Sequence, residues 1–315
     1  MPFRAVSREE IAEFYAATWN LEYPDDRRSR DEMFGSYVII PIDAFEEHWV
    51  EEGVATPAIV SAYDLQGKTP VDNLTIDLSM SPENESAGLP PALEMIEEIS
   101  ERADARSVSV WTSDRRPERN AFLVQHGYHL VQTAPVTRLD IQSFDSARFD
   151  AKRKAVEDSG IQLRTVDELD TQGIDWVPLL LDATWEMAQD MPRTHDAVQP
   201  KLEHYREMLK NETVYKKDLM FVAMDGDRIV GYSRVTPCEA MPEMVRTGLS
   251  GVVRDHRRRG IVTALKAMQM AKLRERGYLF AQTDNDVTNP MYRLNIELGF
   301  RDVWSWLQFE RVRKS

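Results

Sequence analysis

A single cysteine, Cys238, stands among 315 residues, so the chain can form no internal disulfide and no paired-cysteine metal or redox site. Long apolar runs are missing too. Stretches such as Tyr37 to Ile42 and Val177 to Leu181 fall far short of the ~20 residues that cross a bilayer. The first ten residues lack the apolar centre of a signal peptide, which predicts a cytoplasmic protein. No two of the 14 glycines are spaced Gly-x-Gly and no Gly-x4-Gly precedes a lysine, which excludes dinucleotide and Walker-type phosphate loops. His-Glu-x-x-His and Gly-x-Ser-x-Gly are also absent. His126 and His129 flank a turn signal and read as solvated residues, so no metal is expected. Basic charge is scarce: 39 Lys and Arg against 53 Asp and Glu leave a net charge of −14, which argues against nucleic acid or an anionic membrane as partner.

What is present is a globular composition, 42% hydrophobic and 29% charged, on a length suited to two domains. The chain also repeats itself at an offset of 172 residues. Gly88 corresponds to Gly260 and Gly127-Tyr128 to Gly299-Phe300. Between them the helical stripe Leu89, Ala92, Leu93, Ile96 and Ile99 matches Ile261, Ala264, Leu265, Met268 and Ala271 without a gap. The starts of the halves echo more loosely, through Ala17-Thr18-Trp19 and Ala183-Thr184-Trp185. Asp225-Gly226 between two apolar runs predicts a hairpin, and hence an antiparallel middle to the second half. The expected organisation is two α+β units, residues 1–145 and 160–315, with a polar join at 146–159.

The halves differ in one charged segment. Arg254-Asp255-His256-Arg257-Arg258-Arg259-Gly260-Ile261-Val262-Thr263 crowds four arginines before a predicted helix. Free N–H groups at a helix start already favour anions, so cations belong there when they share an anion with the backbone. A solvated basic face pairing with the protein's own carboxylates is the alternative reading. In the first half the residue matching Arg257 is Glu85, which would repel phosphate.

The run Arg257 to Val262, followed by Asn289-Pro290-Met291-Tyr292 and Gly299-Phe300, resembles the acyl-CoA-binding motif of the GCN5-related N-acetyltransferases, in their tandem two-domain type. Val262 departs from the small residue usual there. The resemblance implies an α+β fold of α/β/α layers: two tandem copies, each a mixed, mostly antiparallel sheet flanked by helices. The first copy is degenerate, and the second binds acetyl-CoA as co-substrate. It implies a sheet split between Ser250 to Arg254 and Leu279 to Thr283. Val252 and Val253 would meet the pantetheine amides. The N–H groups of Arg258, Arg259, Gly260, Ile261, Val262 and Thr263, with the Arg257 and Arg259 side chains, would hold the pyrophosphate. Asn289 would contact the β-mercaptoethylamine arm.

In that family a tyrosine often protonates the leaving thiolate; Asn295 fills its place, and Tyr292, one turn earlier, is the candidate acid. Arg246 stands where a glutamate base is usual, leaving Glu243 and Asp284 as candidates, or as solvated carboxylates. Glu186 and Asp190 share a helical face and could hold a substrate ammonium, or be surface acids. The segment continuing to His195 is expected to cover the acceptor. The expected activity is acetyl transfer to a primary amine of a small molecule by direct attack, with a non-catalytic acyl-CoA-binding module as the alternative. The expected assembly is a monomer whose halves form an internal pseudo-dimer.

Overall fold

The computed structural model describes residues 3–37, 40, 44–67, 70–191, 198–212 and 214–313. The first half runs β1 (Phe3–Val6), α1 (Arg8–Glu22), α2 (Arg30–Tyr37), β2 (Glu46–Glu51), β3 (Ile59–Tyr63), β4 (Asn73–Ser79), α3 (Glu85–Arg102), β5 (Ser107–Ser113), α4 (Pro117–Gln125) and β6 (His129–Asp140). A joining helix follows, α5 (Asp150–Asp158). The second half runs β7 (Gln162–Thr165), α6 (Val166–Thr171), α7 (Trp176–Ala188), α8 (Leu202–Met208), β8 (Met220–Asp225), β9 (Arg228–Pro237), β10 (Met244–Val252), α9 (Ile261–Glu275), β11 (Phe280–Asp284), α10 (Pro290–Leu298) and β12 (Arg301–Val312). Apart from α6 the two orders coincide. β6 and β12 start and end 172 residues apart, so the offset read from the helical stripe extends through the last strand of each half.

Local chemistry accounts for the element ends. Ser7 caps α1 by accepting from the Glu10 N–H, and Thr165 with Glu168 forms a reciprocal capping box on α6. The β8–β9 register pairs Asp225 with Arg228 across Gly226 and Asp227, with Gly226 in the left-handed region, as a tight hairpin requires.

All twelve strands form one sheet, ordered β1-β2-β3-β4-β5-β12-β6-β11-β10-β9-β8-β7. Neighbours are antiparallel except β4–β5 and β10–β11, the strands flanking the striped helices. The halves exchange their last strands: β12 lies between β5 and β6, and β6 pairs with β11 of the second half. A division into residues 1–145 and 160–315 therefore runs through a continuous sheet. The join, expected as a linker, is the helix α5; it buries Val156 and packs on α9.

Helices cover both faces. In the first half α1 packs Ile11, Ala12 and Trp19 on one face, and α3 packs Leu89, Ala92 and Ile96 on the other. The second half repeats this with α7 and α9. Helix α9 approaches the sheet closely at Gly231 of β9, where an added Cβ would lie 2.7 Å from Ile261 Cγ2. Gly231→Ala is expected to destabilise the chain by about 1–3 kcal/mol through overpacking, read as a lower urea midpoint at unchanged slope. An unchanged midpoint would show that α9 shifts freely.

Candidate active site

β10 and β11 pair in parallel only from Met244 to Arg246 against Phe280 to Gln282, and then part. On its other side β10 bulges between Thr247 and Ser250 against β9. The gap opens into a cleft of about 660 Å³ walled by the starts of α9 and α10 and the end of α7.

The loop from Arg254 to Gly260 forms the outer end. Arg258 and Gly260 both adopt left-handed backbone, at φ of 62° and 80°. For a non-glycine residue this costs about 1–2 kcal/mol, and alternating left-handed residues turn successive N–H groups towards one side. Gly260 is the N-cap of α9, and no side chain caps that helix. Its first N–H groups therefore face the cleft without an intrahelical partner, as an anion site requires. Lys152 of α5 lies where a Cβ on Gly260 would be, 2.8 Å away, so the joining helix seals the outer side of the loop.

Arg257, Arg258, Gly260, Ile261, Val262, Thr263, Val252 and Asn289 line this cleft. Two expected contacts lie elsewhere. Val253 is buried, and its N–H donates to Val230 O of β9, so the sheet already uses it. The Arg259 guanidinium turns away and donates to Ser159 Oγ at 3.1 Å. Asn289 caps α10, its Oδ1 accepting from the Met291 N–H at 2.9 Å.

Glu186 and Asp190 are bound to the loop rather than open to an ammonium group. Glu186 accepts from the Arg254 N–H at 2.6 Å, and Asp190 accepts from the guanidinium groups of Arg254 and Arg257. Those bonds hold the Asp190 carboxyl far below the usual carboxylate range. Arg254 and Arg257 thus pair with a carboxylate, as the alternative reading of the basic run expects, while the uncapped start of α9 opens into the cleft. The expected acceptor cover from Pro192 to His195 falls outside the described residues.

Of the candidate acids and bases, Asp284 alone lines the cleft. Its side chain reaches water there, yet desolvation by the walls pushes its carboxyl above the usual range, with Arg28 of the first half opposing the shift. Tyr292 points out of the cleft, and its hydroxyl donates to both Asp302 oxygens at 3.0 Å. Tyr292 and Asn295, three residues apart, lie only about 60° apart around α10, yet Asn295 lines the cleft and Tyr292 does not. Glu243 precedes β10 at the closed end of the strand pair, eight residues and roughly 25 Å from Gly251. Arg246 is committed to the first half, bridging Asp26 at 2.6 Å and Glu32 at 2.7 Å. Cys238 beside it is buried, and burial pushes its thiol up to about 12, which suits a core residue rather than a nucleophile.

The inner end holds Asn295, already noted in the family tyrosine's place, together with Thr247 and Lys266, which sequence reasoning passed over. Asn295 Nδ2 donates to Asn285 Oδ1 at 2.7 Å, while Asn295 Oδ1 and Thr247 Oγ1 are buried with no hydrogen-bond partner. Lys266 of α9, 1% exposed, lines the same space. It stands four residues after Val262 and so shares that residue's helix face, which was the available signal.

Residues 181–300 match the Acetyltransferase (GNAT) family. They belong to it. Over the whole chain the fold is that of tandem GNAT proteins. A tandem GNAT protein from the clavulanic acid biosynthesis pathway superposes with a TM-score of 0.72 at 17% identity, covering 99% of both chains. A GCN5-related N-acetyltransferase from Sphaerobacter thermophilus gives 0.66 at 20%, covering 98% of this chain and 95% of that one. An acetyltransferase from the GNAT family of Colwellia psychrerythraea gives 0.59 at 10%, covering 98% and 99%. No protein of curated function matches in sequence.

The corresponding place in the first half is filled by side chains. Glu85, at the position of Arg257, meets Arg119 Nε at 3.0 Å and Arg116 Nη1 at 3.4 Å. Glu22, from the end of α1, meets Arg119 Nη1 at 2.9 Å and Arg116 Nε at 3.2 Å. All four residues are buried. The arginines come from the start of α4, the counterpart of α10, and cross the strand gap to the start of α3.

Proposed function

We propose that the chain is an N-acetyltransferase that moves an acetyl group from acetyl-CoA to a primary amine of a small cytoplasmic molecule, with the second unit active and the first structural. The observation that carries this is the uncapped start of α9, opening with its left-handed loop into the gap between β10 and β11. The loop N–H groups from Arg258 to Thr263 would take the pyrophosphate, and Val252 and Asn289 would line the pantetheine arm. Bound there, acetyl-CoA supplies an activated carbonyl. The chain supplies alignment, worth several kcal/mol once the two reactants are held together, and a water-limited cleft.

An amine arrives protonated near neutral pH, and only its free base attacks. Asp284, with its carboxyl raised by desolvation, is the base proposed. The buried charge cluster of Glu22, Glu85, Arg116 and Arg119 leaves no phosphate site in the first unit, which supports its structural role. The exchange of β6 and β12 within one chain supports a monomer containing its own pseudo-dimer. A dimeric mass by light scattering would count against that part.

The test is acetyl-CoA binding by calorimetry in the unaltered chain and in Arg257→Glu. The variant places the first unit's carboxylate beside the phosphate site, and loss of charge-assisted bonds predicts affinity lower by about 100-fold or more. Equal binding by both proteins would remove the phosphate-site assignment. The positions of Asn295 and Arg246 favour a second reading, a non-catalytic acyl-CoA-binding module. Binding without thioester turnover on a broad amine panel would select it.

A further inference from the structure

Resting on the acyltransferase reading, we propose that Lys266 is the acid of this site, its Nζ meeting the sulfur of CoA as the thioester opens. Four basic side chains line the cleft. His256, Arg257 and Arg258 belong to the loop at the outer end. His256 faces Asp225 and Asp255, and Arg257 is held by Asp190. Lys266 follows Ile261 by five residues, roughly 7.5 Å along α9, and this carries it from the phosphate end towards the bulge of β10.

There its ammonium has no hydrogen bond or ion pair among the described residues, although the protein carries 53 carboxylates. A buried cation without a counter-charge is costly, and burial alone lowers this one to about 8. Asp284, in the same cleft, moves the opposite way. A carboxyl raised and an ammonium lowered, both towards neutrality and unpaired with each other, are the two halves of an acid–base pair. The neighbouring buried acceptors, Asn295 Oδ1 and Thr247 Oγ1, also lack partners in this cleft.

The step balances as follows. The amine nitrogen bonds to the acetyl carbon and the carbon–sulfur bond breaks, its electron pair staying on sulfur. The nitrogen loses a proton to Asp284 while Lys266 delivers one to sulfur. Both groups then return to their starting states through solvent, leaving an amide and a thiol.

The test needs no acceptor. CoA is bound to the unaltered chain and to Lys266→Met, and ionisation of the bound thiol is followed by its ultraviolet thiolate band against pH. Other titratable or charged groups lining the cleft are Asp284 from β11, Asp190 from the turn after α7, and His256, Arg257 and Arg258 from the loop; β10 and α10 bring uncharged side chains. These are common to both proteins, so the comparison isolates Lys266. Below about pH 8, where the Lys266 ammonium is charged, a cation near the sulfur is expected to raise the bound thiolate fraction at least about tenfold over free CoA at the same pH. Lys266→Met should abolish most of that rise while changing the affinity for CoA less than about threefold. A bound thiol that ionises in the unaltered chain as it does in free CoA overturns the assignment, whether or not the variant folds. Absence of CoA binding by the unaltered chain overturns the acyltransferase reading as well.

Discussion

Removing residues 301–315 is expected to abolish cooperative folding of the entire chain. β12 lies at the centre of the sheet between β5 and β6, so its loss leaves two unpaired strand edges inside the molecule. Its side chains belong to first-half cores: Phe309 packs with Leu74, Ile76 and Val108, and Trp304 with Ile11, Trp19 and Tyr23. Losing either aromatic side chain costs about 3–5 kcal/mol, against a typical net stability of about 5–15 kcal/mol. The truncated chain should bind a hydrophobic dye and lack a cooperative urea transition. A transition with the native midpoint would refute the exchanged arrangement, because a tail on its own half could be trimmed at smaller cost. The same reasoning predicts that residues 160–315 alone will not fold, since β11 needs β6 and β12 has lost both neighbours.

Arg119→Met is expected to cost about 3–5 kcal/mol, the usual penalty for leaving buried charge uncompensated. Arg119 is fully buried between Glu22 and Glu85 and also donates to Leu78 O at 2.9 Å. Its removal sets two buried carboxylates against Arg116 alone. The double variant Arg119→Met with Glu85→Gln should recover part of that loss, because one uncompensated charge goes with its partner. Urea denaturation of the single and double variants measures both. A single-variant cost below about 1 kcal/mol, the worth of an exposed pair, would mean that water reaches the cluster and that the first unit is not sealed as described.

Much of this protein was legible without coordinates, and the legible parts share a property: each is encoded within a short stretch. The stripe of α9 and its first-half counterpart, the Gly226 hairpin and the Gly299 helix end rest on periodicity and backbone preference, which act over a few residues. The loop from Arg257 to Gly260 was equally visible as a basic run before a helix start, open to an anion or to the protein's own carboxylates. The reversal at Glu85 marked the first unit as different, although not that two arginines from α4 would fill its gap.

Tertiary structure decided what depends on distant partners. β6 and β12 hold equivalent places in their halves, and either could pair at home; the exchange is set by which long-range pairing buries more core, and no local signal reports it. Arg246 sits where a base was sought, yet its side chain leaves the cleft because Asp26 and Glu32, more than 200 residues earlier, are there to meet it. Glu186 and Asp190 were expected on one helix face, but α7 ends at Ala188, Asp190 lies in the turn beyond it, and arginines more than 40 residues later claim both. Tyr292 and Asn295 share one side of α10, and only its docking on the sheet shows that Asn295 lines the cleft while Tyr292 reaches Asp302. Lys266 carried no local signal beyond its place on the helix face of Val262, and only the docking of α9 on the sheet buries it.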